Sequence, residues 1–179
     1  MKPIPEEIVE KTWREVAQFT PAQITKEISR VGREQQDLLR FVLESTVDMS
    51  GESHELAVYL FFTVFRMFQK LHGKGIAAIS SEEVVACYEA NQDLMERLEG
   101  AHEKFLDRIT GIQIAEQPHV MNYMVDALVE EEEDDDDDLK DLTEEDKGLL
   151  FLVLKTVVEL LNKATEKERK PYRHGTTRI

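Results

Sequence analysis

The stretch Leu56-Ala57-Val58-Tyr59-Leu60-Phe61-Phe62-Thr63-Val64-Phe65 decides the fold class. It carries no charge and no alternation of apolar and polar side chains. Wound as a helix it is apolar on nearly every side, and such a helix is central, covered by neighbours over most of its surface. It is about half the length needed to span a bilayer, and Arg66 and Lys70 follow it closely, so the reading excludes a membrane span. The predicted helix covers 53–72 and stops at Gly73-Lys74-Gly75.

A second run of this kind, Leu149-Leu150-Phe151-Leu152-Val153-Leu154, lies in the last predicted helix. That helix starts at Thr143, with Glu144, Glu145 and Asp146 complementing the positive end of its dipole, and reaches about Lys163. Lys155, Glu159 and Asn162, at steps of four and three, read as a narrow solvent-facing stripe. This helix too is predicted to be mostly buried.

The rest of the chain has helical period as well. A first helix is expected from Pro5 to Phe19, with Val9, Trp13 and Val16 on its apolar face. Thr20-Pro21-Ala22-Gln23 is a helix start: a capping threonine, a first-turn proline and a box-completing glutamine. The second helix is expected over 21–48, ended by Ser50-Gly51. It carries Ile24, Ile28, Val31, Leu38, Val42 and Met49 at heptad spacing, interrupted by Gln35 and Ser45. Ser80-Ser81-Glu82-Glu83 opens a fourth helix, expected over 81–110, with Val84, Tyr88, Met95, Leu98, Phe105 and Ile109 on its stripe and Asn91 and His102 between them. A fifth begins near Pro118 with Val120, Met121, Met124, Val125 and Leu128. The expectation is an all-α single bundle of about six helices, with a central apolar helix and an acidic loop before the last helix.

The domain reading follows: one helical domain over 1–168, interrupted by an acidic loop at 130–142, and a basic tail over 169–179. The length of 179 residues and a hydrophobic share of 41% suit one such core. The single cysteine, Cys87, excludes an intramolecular disulfide and a Cys-based zinc site. Residues 1–7 lack the apolar core of a signal peptide, and the expected location is the cytoplasm.

A net charge of −15 argues against a binder of duplex nucleic acid and against docking on an anionic membrane. The charge is concentrated. Residues 126–146 hold 14 acidic side chains and one basic one, so the remainder of the chain is close to neutral. The core of this block is Glu130, Glu131, Glu132, Glu133, Asp134, Asp135, Asp136, Asp137 and Asp138. Adjacent carboxylates repel in a low-dielectric setting, so a solvated loop is expected. It lacks the glycine and alternate spacing of a calcium loop. Its functional reading is a site for a basic protein partner or for weakly held divalent cations. The carboxyl end supplies Lys163, Lys167, Arg169, Lys170, Arg173 and Arg178 against Glu166 and Glu168, which makes it a candidate internal partner.

Two Glu-x-x-His strings, Glu99 with His102 and Glu116 with His119, offer an alternative. In di-metal bundles that spacing puts a carboxylate and an imidazole on one helical face, with further carboxylates from other helices. Pro118 places the second string at a helix start, and the third helix has no carboxylate between Leu56 and His72. Arg66 and His72 form an Arg-x5-His string that resembles the motif of the helical HEPN ribonucleases; over these two residues the resemblance implies RNA cleavage. On their own chemistry Arg66 reads as a snorkelling residue at the edge of the core and His72 as a helix-end residue. No phosphate loop or serine elbow is present.

The sequence reading is therefore a non-catalytic helical binding or assembly module without a cofactor. Its heptad stripes favour a homodimer. The alternative is a metal-dependent bundle enzyme using Glu99, His102, Glu116 and His119.

Overall fold

The computed structural model describes residues 2–73, 75–99, 116–129 and 142–169. The described residues form seven α-helices and no strand: α1 (Glu6–Val16), α2 (Pro21–Glu34), α3 (Gln36–Ser45), α4 (Gly51–His72), α5 (Ser81–Glu99), α6 (Pro118–Val129) and α7 (Glu144–Arg169).

The all-α bundle is as expected, and its two apolar helices are its centre. In α4, Leu60 to Phe65 are six consecutive buried residues, and Met67 and Phe68 continue the run. In α7, Leu150 to Val158 are buried without a break. The two helices pack on each other, with α1, α3 and α6 also against α4 and α3, α5 and α6 also against α7. A helix lacking a polar face can satisfy itself only in this position.

Helix starts follow the local chemistry. Thr20 Oγ1 accepts from Gln23 N while Thr20 N donates to the Gln23 side chain, a complete capping box. Ser80 and Glu83 form a second box. Thr143 Oγ1 accepts from Asp146 N at 3.0 Å and starts α7. Ser50 does not close the helix before it. Its hydroxyl accepts from Ser53 N and caps α4, whose first residue is Gly51.

The expected second helix is two helices. The chain leaves helical values at Gln35, with φ −137° and ψ 59°. Gln35 is 1% exposed, and its carboxamide reaches the extended connection between α4 and α5. Nε2 donates to Ala77 O at 2.9 Å, and Oε1 accepts from Ile79 N at 3.1 Å. Those backbone groups have no helix or sheet to satisfy them, and an unpaired buried amide is destabilising. The glutamine that interrupts the apolar stripe thus serves as a polar clamp. α2 is peripheral, with Ile24 and Ile28 half-buried and Val31 fully buried. Among the described residues, no helix is long and apolar enough to cross a membrane.

Candidate functional site

The α5–α7 interface holds the most concentrated buried polar chemistry of the described residues. On α5, Val84, Cys87, Asn91 and Met95 share one face and are all buried. That face meets the polar stripe of α7. Two of its three residues do not face solvent: Lys155 is 8% exposed and Asn162 4%, while Glu159 is half-buried. The expectation of an exposed stripe is corrected by distant partners, Asn91 on α5 and Gln117 just before α6.

Lys155 Nζ donates to Asn91 Oδ1 at 2.6 Å and to the Glu159 carboxylate one turn along its own helix. Asn91 Nδ2 donates to Glu159 Oε2 at 3.0 Å and to Thr156 Oγ1 at 3.1 Å. The Cys87 thiol donates to Glu159 Oε2 at 3.3 Å. Five side chains therefore satisfy one another across two helices, which is the condition for burying polar groups without a large penalty.

The electrostatics follow from this closure. Burial pushes the Glu159 carboxyl up, but the hydrogen bond and charge of Lys155, with Asn91 and Cys87, outweigh it and hold the group below its ordinary value. Burial, then the Glu159 charge, pushes the Cys87 thiol up to about 11. At neutral pH that thiol is protonated, and a protonated thiol is a poor nucleophile and a poor metal ligand. The cluster is built to hold two helices in register.

A second polar knot ties the chain's start to α7. Gln117 is 2% exposed and has φ 55°, the left-handed region that side chains rarely adopt. Its Oε1 accepts from Ile4 N at 2.7 Å, and its Nε2 donates to Asn162 Oδ1 at 2.7 Å. Asn162 Nδ2 in turn donates to Glu116 Oε2 at 2.9 Å. The left-handed turn just before Pro118 swings the carboxamide inward while α6 starts.

At another edge of the core, Arg66 Nη2 bonds Glu15 Oε1 at 2.6 Å and its Nη1 lies 3.4 Å from Glu27 Oε2. Its guanidinium lies over Phe19. Lys70 Nζ reaches the other oxygen of Glu15 at 2.6 Å. The Lys70 hydrogen bond, joined by the Arg66 contacts, outweighs the opposing effect of burial and holds Glu15 below its ordinary carboxylate range. Arg66 thus joins α4 to α1 and α2, as a core-edge residue does. His72 stacks near Phe68 at the end of the same helix.

The residues singled out in the sequence are placed as follows. Glu130 to Asp138 and His102 lie outside the described residues. Glu99 is the last residue of α5. Glu116 is exposed and bonded to Asn162, and His119 is half-buried on α6. Among the described residues, no group of three or more His, Cys, Asp or Glu could hold a metal ion. Gln35, Asn91, Gln117 and Lys155 carry the buried polar chemistry. Their sequence signal was a polar residue at an apolar register position, clear at Gln35 and Asn91. No family model, no curated protein and no solved structure matches the chain.

Proposed function

We propose that the chain is a non-catalytic helical binding module that engages a basic protein partner through the acidic residues Glu130 to Asp138. The observation that carries this reading is the segregation of charge. Residues 126–146 hold 14 acidic side chains and one basic one in a chain otherwise near neutrality. Such a concentrated field raises the encounter rate with a cationic surface and weakens as salt screens it. The anchoring of the flanks supports it. α6 ends at Val129 after burying Val120, Met121, Met124 and Leu128, and α7 starts at a capped Thr143. The acidic run therefore connects two helices fixed on one core.

Pairing with a second copy belongs to the same reading. Val47, 66% exposed just beyond α3, Leu43 on α3 and Val85 on α5 are large apolar side chains left at the surface. Light scattering on the eluting protein separates monomer from dimer.

The test of partner binding is a pull-down on immobilised Lys-rich peptide. It compares the intact protein with a variant in which Glu130 to Asp138 are replaced by Gln and Asn. Capture at low salt that is lost in the variant supports the reading. Equal capture of both overturns it.

A further inference from the structure

We propose that α2 and α3 form a latched hinge: Gln35 holds them apart by gripping the α4–α5 connection, and release of that grip joins them into one straight helix over 21–45. The break is not set by a residue at its centre. Arg33-Glu34-Gln35-Gln36-Asp37 contains neither proline nor glycine, the usual reasons for a helix to stop or kink, and the nearest glycine, Gly32, lies inside α2. The apolar stripe keeps its phase through the break, with Val31 and Leu38 one heptad apart on either side. What holds Gln35 out of the helix comes from more than 40 residues away, at Ala77 and Ile79.

The hydrogen bonds on either side already run up to the hinge. Gln35 N donates to Val31 O at 2.7 Å, the last bond of α2. Gln35 O accepts from Leu39 N at 3.0 Å, the first bond of α3. Returning one residue from φ −137°, ψ 59° to helical values closes the gap. Hinges are built this way, with the dihedral change absorbed at very few positions.

The broken state also brings two side-chain sites together that a straight helix keeps apart. A Cβ added at Gly32 would sit 3.1 Å from Leu39 Cδ2. On a straight helix those positions are separated by about 10 Å of axial rise. Gly32 leaves room for the Leu39 side-chain tip, which a Cβ would displace by a few tenths of an ångström and a longer side chain by more. Buried Leu38 and Val42 hold α3 on the core, so the latched state is the resting one.

The hinge is read by the distance between spin labels at Thr25 and Glu44, both exposed, in a Cys87→Ala background. A straight helix separates these positions by about 28 Å, and any break shortens that. The latched protein is expected to give one distance below this value. Gln35→Ala removes the grip and, with Leu38 and Val42 still seated on the core, is expected to add a second population at the straight-helix distance. Adding Gln36→Pro restores the short distance, because proline suits the first position of α3 and not a helix interior. Gly32→Leu leaves the latch intact, crowds Leu39 and is expected to lengthen the distance as well. An unchanged distance in both Gln35→Ala and Gly32→Leu overturns the proposal. So does a broad, featureless distribution in both, or one that Gln36→Pro does not reverse.

Discussion

Lys155 Nζ donates to Asn91 Oδ1 at 2.6 Å, joining α7 to α5 through a buried ammonium 64 residues away in the chain. Glu159 balances the charge and is itself bonded by Asn91 and Cys87. Removing one member of a buried pair leaves the other uncompensated. Lys155→Ala is therefore expected to destabilise the protein by about 2 to 3 kcal/mol, below the fully buried case because Glu159 keeps 30% of its side chain exposed. Lys155→Met combined with Glu159→Leu removes both charges but leaves the buried Asn91 oxygen without its donor, so it is expected to recover part of that loss and not all of it. Urea unfolding of the three proteins checks this; a double variant as unstable as Lys155→Ala contradicts it.

The same pair sets a pH dependence. Glu159 is held below its ordinary 4.5 in the folded protein. A carboxylate with a lowered folded value contributes stability that is present above the unfolded value and is lost as pH falls through the folded one. The stability gap between the parent and Glu159→Gln is expected to be full at pH 6 and to shrink below about 4.5. Denaturant midpoints measured across that range decide it, and a gap constant with pH counts against the pairing.

Cys87 offers a chemical readout of the same interface. Its thiol is raised from 9.0 to about 11 and is 7% exposed. Two pH units correspond to a thiolate fraction lower by about 100-fold at pH 8, before burial slows access further. Alkylation by iodoacetamide is expected to be at least that much slower in the native protein than in urea. Comparable rates would mean that α5 and α7 do not close over the thiol.

Gln117 separates a backbone effect from a side-chain one. Substitution by either Ala or Gly removes the bonds to Ile4 and Asn162. Only Ala keeps the unfavourable φ of 55°, which adds about 1 kcal/mol for a residue bearing a Cβ. Gln117→Gly is thus expected to be more stable than Gln117→Ala, the reverse of the order inside a helix. Thermal melts of the two variants show whether it is.

Much of this fold is written locally. The apolar runs of α4 and α7 announce central helices because a helix with no polar face has no place at a surface. The starts at Thr20, Ser80 and Thr143 are readable because each uses a side chain within three residues of the amide it caps. The break at Gln35 is not readable, since its cause lies at Ala77 and Ile79. The α7 stripe misleads for a related reason. A lysine and a glutamate four apart usually mark solvent, and only the distant Asn91 turns them inward. Glu116, a candidate ligand beside His119 in the sequence, accepts from Asn162 in the structure, a partner 46 residues away that no local pattern announces. The acidic run and His102 are legible as chemistry in the sequence and lie outside the described residues.

The central claim is that the acidic run is a binding surface for a basic partner. Its most direct test is a fluorescence-anisotropy titration of a labelled Lys-rich peptide with the intact protein and with the variant neutralised at Glu130 to Asp138. The account predicts binding to the intact protein that weakens steeply from about 50 to 300 mM salt, and affinity at the lower salt reduced at least about tenfold in the variant. Equal affinity of the two proteins, with the same dependence on salt, would contradict it.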